Sequence, residues 1–226
     1  MKIKICGLSR KVDIDYVNEA NPDYMGFVFA KSKRQVTQAQ AKELRSHLSD
    51  AIIPIGVFVD APIDQVAGLL NQNIIDIAQL HGNEDDDYIY RLRKLTNKKI
   101  MKAFRVRSGD DIEAAKQSMA DFLLLDAYTP HQAGGTGNVF DWNLVNDLGK
   151  PFFLAGGINI DNVEDAMRIA RPYSIDLSSS VETEGLKDRN KINEIVRKIK
   201  NSAYQEEEKW LKEDMESMAD NIYQKH

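Results

Sequence analysis

The sequence predicts an α/β fold, a single (β/α)8 barrel carrying a C-terminal helical extension. Three observations predict it. Eight short apolar runs end in turn or polar residues, intervals of 15–23 residues separate them, and several intervals carry amphipathic helical patterns. The runs are Ile3–Gly7, Tyr24–Ala30, Pro54–Asp60, Ile77–Gly82, Lys99–Val106, Phe122–Ala127, Pro151–Gly157 and Tyr173–Ser180. Such intervals are too long for hairpins and long enough for a loop and a short helix, which implies parallel strands joined by right-handed crossovers. The runs are almost continuously apolar, as strands covered on both faces are. Eight units close naturally into a barrel; the alternative, an open doubly wound sheet, typically uses five or six strands.

The elements follow in order. Ile3–Gly7 opens the chain as the first strand, with no signal-peptide apolar region before it. Between strands two and three, Gln38–Leu48 spaces Ala41, Leu44, Arg45 and Leu48 as one helical face, and Thr37 is its expected N-cap. Between strands seven and eight, Asp161–Ile169 places Val163, Ala166, Met167 and Ile169 similarly, with Asp161 or Asn159 as the expected N-cap. The barrel accounts for residues 1–200. Residues 201–226 form an acidic appendage with seven acids and three bases, in which Leu211, Met215, Met218 and Ile222 make one stripe of an amphipathic helix. A helix lying on the barrel or in a dimer interface is the simpler reading of this stripe, and a partner-recruiting helix the sharper one.

Composition narrows the function classes. The chain has 226 residues, 42% hydrophobic and 29% charged, enough for a core. Its longest largely apolar stretch, Ala51–Val59, is interrupted by Pro54 and Gly56 and far too short to span a membrane. A cytoplasmic protein is expected. The single Cys6 excludes an internal disulfide framework, and four histidines without ligand spacing argue against a metal site. A net charge of −5 argues against nucleic-acid binding.

In a barrel, chemistry gathers where strands end and βα loops begin. Those ends read Cys6-Gly7, Ala30 leading to Ser32 and Arg34, Asp60, His81-Gly82, Arg105, Asp126, Gly156-Gly157 and Ser178-Ser179-Ser180. The last two clusters suit a phosphate, because glycine admits close backbone approach and amides there can point at an anion. Gly134-Gly135-Thr136-Gly137 adds amides after strand six, with Gly135 and Gly137 as candidates; Phe140 stands where a dinucleotide fingerprint needs its last glycine. Cys6, given an electropositive field, would supply thiolate as a base. Asp126, at the end of the apolar Phe122–Leu125 run, would be partly desolvated and its pKa raised, making it an acid. A Cys base and an Asp acid on strands one and six form a proton-transfer pair that needs no metal or cofactor. Arg34 beside the mouth is a candidate carboxylate grip. His81 reads equally as a polar rim residue or a satisfied core histidine.

These clusters, in this order, resemble the phosphoribosylanthranilate isomerase family of tryptophan biosynthesis. The matching stretches include Lys4-Ile5-Cys6-Gly7, Gly26-Phe27-Val28-Phe29 with Ser32-Lys33-Arg34, and Gln79-Leu80-His81-Gly82. They continue through Leu125-Asp126, Gly134–Gly137, Leu154-Ala155-Gly156-Gly157, Asp176–Ser179, Val181-Glu182 and Lys187-Asp188, covering residues 2 to about 198. The resemblance implies conversion of N-(5′-phosphoribosyl)anthranilate to 1-(2-carboxyphenylamino)-1-deoxyribulose 5-phosphate, an Amadori rearrangement. It implies Asp126 as general acid, Cys6 as general base, Arg34 as holder of the anthranilate carboxylate, and the glycine and serine loops as the phosphate site. The substrate-binding set is then Arg34, His81, Gly135, Gly137, Gly156, Gly157, Asp176, Ser178, Ser179 and Ser180. The partner is a small phosphoribosyl substrate, without nucleic acid or membrane, bound by a monomer or homodimer.

Two other functions compete. A related phosphosugar isomerase or epimerase would pair aspartates on strands one and five, where this chain has Cys6 and no matching aspartate. A non-catalytic phosphate-binding barrel would have lost Cys6, Asp126 or Arg34, all of which are present. The chain departs from the family at Ser180, where glycine is usual; if that position needs a positive φ, serine would strain the phosphate loop.

Overall fold

The computed structural model describes residues 1–127, 139–145 and 147–205. Eight parallel strands close in chain order into a barrel: β1 (Lys2–Cys6), β2 (Tyr24–Val28), β3 (Ile53–Phe58), β4 (Ile77–Leu80), β5 (Lys99–Val106), β6 (Phe122–Ala127), β7 (Phe152–Leu154) and β8 (Ser174–Leu177). β8 pairs back onto β1, with Lys4 beside Asp176 in register. Each strand falls within or one residue outside an expected run. The helices are α1 (Lys11–Ala20), α2 (Gln38–Arg45), α3 (Ile63–Asn71), α4 (Asp86–Arg93), α5 (Gly109–Gln117) and α6 (Val163–Ala170), followed by α7 over residues 189–205. The crossover from β6 to β7 departs from the pattern: its described part holds a single 3-10 turn, Trp142–Leu144. Gly134–Gly137 and residues 206–226, which carry the expected apolar stripe, lie outside the described residues.

Local chemistry explains the helix starts. The Thr37 hydroxyl accepts from the Gln40 N–H while the Gln40 side chain accepts from Thr37 N–H, a reciprocal cap. α2 stops at Arg45, three residues before the expected end, though Leu48 remains buried in the following turn. The N-cap of α6 is Asn162 rather than Asp161 or Asn159. Asn159 instead shapes the approach, its Oδ1 accepting from the amides of Asp161 and Asn162.

Strand alternation sorts the core into two compartments. Ile3, Ile5, Met25 and Phe27 face outward and pack under the helices. Tyr24, Ile55, Ile77, Met101, Leu124 and Phe153 face inward and fill the barrel. Phe153 sits edge-on to Tyr24 at 5.1 Å. Burying each large side chain contributes about 1.5–3 kcal/mol. One or two positions further along the strands, the inward residues become polar: Lys4, Cys6, Gln79, His81, Asp126, Asp176 and Ser178. The apolar plug is therefore the floor of a polar mouth.

After β8 comes a 3-10 turn, Ser179–Val181, and a two-stranded hairpin of β9 (Glu182–Thr183) and β10 (Leu186–Lys187). Its turn residues Glu184 and Gly185 have φ of 54° and 78°, the paired positive values that suit a tight hairpin. Among the described residues no helix is long and apolar enough to cross a membrane.

Candidate active site

Cys6 ends β1 at the base of the mouth, 9% exposed. Its neighbour in β2 is Gly26, paired with it in register. A Cβ on Gly26 would lie 2.7 Å from Cys6 Sγ, so glycine is what leaves room for the thiol. Beneath it, the fully buried Lys4 ammonium donates to Asp176 Oδ2 at 2.7 Å. Burial pushes the Cys6 thiol pKa up; Lys4 and Lys187 pull it down, while Asp176 adds to the rise, and the net direction is upward. The expected electropositive field is present, yet burial outweighs it. Burial also raises the Asp176 carboxyl against the pull of Lys4. Asp176 is thus a buried ion-pair partner beneath the mouth, and its Oδ1 has no hydrogen-bond partner among the described residues.

Asp126 is the penultimate residue of β6, on the inward face. Its side chain is 26% exposed, so the carboxylate is partly withdrawn from water, as expected, and still open to the mouth. His81 Nε2 lies 3.3 Å from Asp126 Oδ2, and Gln79 Nε2 lies 2.8 Å from His81 Nδ1. With Gln79 donating, Nδ1 accepts and the imidazole N–H on Nε2 faces the carboxylate. His81 is therefore a rim residue held in orientation from below. The negative charge of Asp126 adds to the rise of the Asp176 carboxyl, and Asp176 in turn adds to that of Cys6.

Arg34 reaches the same rim, but is already engaged. Its Nε and a terminal nitrogen meet Glu182 Oε1 and Oε2 at 2.6 and 2.7 Å, a bidentate fork. Lys187 Nζ donates to the same Glu182 Oε1 at 2.6 Å and to the Ser178 carbonyl at 2.8 Å. Burial would raise the Glu182 carboxyl; Arg34 and Lys187 hold it below its ordinary range. Gly7, at φ +87°, passes under the Arg34 side chain where any Cβ would collide with it. The arginine expected to grip a substrate carboxylate is held in place by Glu182 through Nε and one terminal nitrogen, and its other terminal nitrogen lies outside that fork.

The loops after β7 and β8 lie side by side. Gly156 and Gly157 have φ of 82° and 68°, and a Cβ on Gly156 would sit 2.6 Å from Asp126 Oδ1. The Gly157 carbonyl is held by the Asn162 side chain at 3.0 Å. Ser178 Oγ donates to the Cys6 carbonyl at 3.2 Å, tying this loop to β1. Ser179 and Ser180 lie in the 3-10 turn, and Ser180 is not among the described residues with positive φ. The strain considered for serine there is absent. The structure brings together Cys6, Asp126, His81, Arg34, Asp176, Gly156, Gly157 and Ser178–Ser180; Gly135 and Gly137 lie outside the described residues.

Sequence reasoning gave no role to Lys4, Gln79, Glu182 and Lys187. The available signal was a charged or amide side chain at an inward strand position, Lys4 and Gln79, where apolar residues are the rule. Glu182 and Lys187 carried no such signal, because only the hairpin brings them to the mouth.

The profile of the family described as N-(5'phosphoribosyl)anthranilate (PRA) isomerase matches residues 3–198. The chain belongs to the phosphoribosylanthranilate isomerase family. The N-(5'-phosphoribosyl)anthranilate isomerase of Endomicrobium trichonymphae is 49% identical over 196 residues, covering 87% of this chain and 96% of that protein. The crystal structure of the Thermotoga maritima phosphoribosyl anthranilate isomerase superposes with a TM-score of 0.80 at 30% identity, covering 89% of this chain and 99% of that one. A family structure in complex with reduced 1-(o-carboxyphenylamino)-1-deoxyribulose 5-phosphate superposes with a TM-score of 0.76 at 28% identity, covering 89% and 99% of the two chains.

Proposed function

We propose that this chain is a cytoplasmic isomerase of tryptophan biosynthesis that converts N-(5′-phosphoribosyl)anthranilate to 1-(2-carboxyphenylamino)-1-deoxyribulose 5-phosphate, with Asp126 as acid and Cys6 as base. The observation that carries the assignment is the placement of these two groups on β6 and β1 around one polar mouth. The substrate phosphate rests against Gly156-Gly157 and the Ser178–Ser180 turn, which fixes the ribose between the two proton carriers.

Asp126 gives its proton to the furanose ring oxygen as the C1′–O bond breaks and the anilino nitrogen lone pair forms the Schiff base. The carboxylate left behind is met by the N–H on His81 Nε2. Cys6 thiolate then removes the C2′ proton, and its electron pair neutralises the iminium to give an enolamine. Tautomerisation of that enol yields the ketone. A thiol whose pKa is raised by burial is a minority thiolate near neutral pH, but a strong base when formed. Lys4 and Lys187 limit the rise and keep the thiolate accessible.

Loss of anthranilate fluorescence with freshly prepared substrate tests the assignment. Wild type is expected to exceed the spontaneous rate, and Cys6→Ser and Asp126→Asn to lose at least about 10²-fold. Fast wild type with active variants would discard the acid–base pair; no turnover by wild type would discard the substrate.

A further inference from the structure

We propose that residues 206–226 cover the face of the barrel opposite the mouth, with the apolar stripe of that segment against hydrophobic side chains exposed at the strand starts. Among the described residues, five large hydrophobic side chains stand exposed on this face: Met1 before β1, Ile53 opening β3, Leu95 between α4 and β5, Met119 between α5 and β6, and Tyr173 before β8. They are 37–48% exposed, whereas Tyr24 and Phe153 immediately within are almost fully buried. Tyr173 joins the patch to the barrel floor. Its hydroxyl lies 3.0 Å from that of Tyr24, and its ring centroid 6.0 Å from that of Phe122. Hydrophobic residues scattered singly need no partner, but five gathered at one end of a barrel mark a contact surface.

The chain's own C-terminal segment fits that surface by position, length and chemistry. α7 is the last helix on the barrel, and Lys200 near its end donates from Nζ to the carbonyls of Ala20 and Asn21 at 3.3 and 2.8 Å. Those carbonyls belong to the end of α1 and the turn into β2, so the chain leaves the barrel at the rim of this face. Residues 206–210 span up to roughly 17 Å when extended, enough to carry the stripe from the rim onto the patch. Leu211, Met215, Met218 and Ile222 follow at spacings of 4, 3 and 4, one side of a helix that would run about 16 Å from first to last.

Charge permits the contact. The segment carries seven acids and three bases. Asp23, Asp76 and Asp121, each one residue before a strand, are paired with Lys2, Lys98 and Lys99, which limits their repulsion of an acidic neighbour. Arg171 stands exposed two residues before Tyr173. The competing occupant is a second copy of the chain. A segment tethered by a short linker acts at an effective concentration in the millimolar range, far above that of a second chain at micromolar assay concentrations.

Hydrogen exchange of the full chain, compared with a chain ending at Gln205 and with full-length Met215→Glu/Met218→Glu, tests the contact; circular dichroism confirms that each is folded. Amide protection around Leu95, Met119 and Tyr173 is expected to fall at least about tenfold in both variants. A synthetic peptide of residues 206–226 added to the truncated chain should restore it. Turnover should stay within about twofold of wild type, because the mouth lies at the other end of the strands. Protection unchanged by truncation would overturn the proposal, whatever the substrate of the mouth proves to be. So would protection in the full chain that falls on dilution together with a dimer mass in light scattering, which would give the patch to a second copy. Turnover lost in both variants without a change in protection would place the segment at the mouth and overturn it as well.

Discussion

Adding one methyl group at Gly26 tests whether the site depends on where the Cys6 sulfur sits. In Gly26→Ala the new Cβ would lie 2.7 Å from Cys6 Sγ, 3.2 Å from its Cα and 3.3 Å from its Cβ. Favourable carbon contacts fall near roughly 3.5–4.0 Å, so the sulfur must retreat by about 1 Å or the two strands must part by a few tenths. Gly26 does not have a positive φ, so the backbone accepts alanine and the strain is confined to this contact. Overpacking of this kind costs about 1–3 kcal/mol, partly offset by the ~0.4–1 kcal/mol that alanine contributes through the unfolded chain. Net destabilisation should therefore stay near 1–2 kcal/mol, leaving the protein folded at 25 °C. A 1 Å misplacement of a reacting group costs on the order of 10²-fold in rate. The variant is expected to keep most of its Tm while losing about 10²-fold in kcat/KM, measured by fluorescence decay on protein shown to be folded by circular dichroism. Unimpaired kcat/KM would refute the reasoning, because a base whose position is set by the Gly26 gap cannot tolerate its filling.

Other expectations follow from the same geometry. Burial raises the Cys6 thiol, so its thiolate, read as the 240 nm absorbance difference between wild type and Cys6→Ser, should form above the range of an ordinary cysteine; half-ionisation at or below about pH 8.5 would contradict that shift. Ser180 needs no positive φ, so Ser180→Gly should leave KM within about twofold in steady-state assays; a several-fold fall in KM would restore the strained-loop idea. Glu182 is held below its ordinary pKa, so its ionised form stabilises the fold above the unfolded-state value of about 4.3, and that contribution is lost as pH falls through the folded pKa. The Tm gap between wild type and Glu182→Gln should therefore be widest near neutrality and narrow toward pH 3; a gap independent of pH would show that charge is not what Glu182 supplies.

Parts of this molecule could be read from the chain because they are local or periodic. β6 shows as an apolar run since both its faces are covered, and Thr37 shows as a cap because Gln40 stands three residues on. Cys6 and Asp126 were legible for a related reason: the barrel rule assigns function to strand ends without requiring any contact to be known. What stayed hidden depends on closure. The Lys4–Asp176 pair spans 172 residues and the Arg34–Glu182 pair 148, and nothing near either residue announces its partner. The partial burial of Asp126 was legible from Phe122–Leu125, but its neighbour His81 comes from another strand and was not. At α6 the cap moved by one residue because Asn159 and Asn162 exchange hydrogen bonds, Asn162 Oδ1 accepting from the Asn159 amide.

The return of β8 to β1 has a consequence for how the chain becomes a protein. A fragment ending before Ser174 has β1 and β7 as open sheet edges, with unpaired amides along both. It also lacks Asp176, the counter-ion that the Lys4 ammonium needs once closure buries it. Synthesis must deliver β8 before the free side of the first strand is paired, and during that interval the exposed edges of the growing chain are where unwanted association would begin.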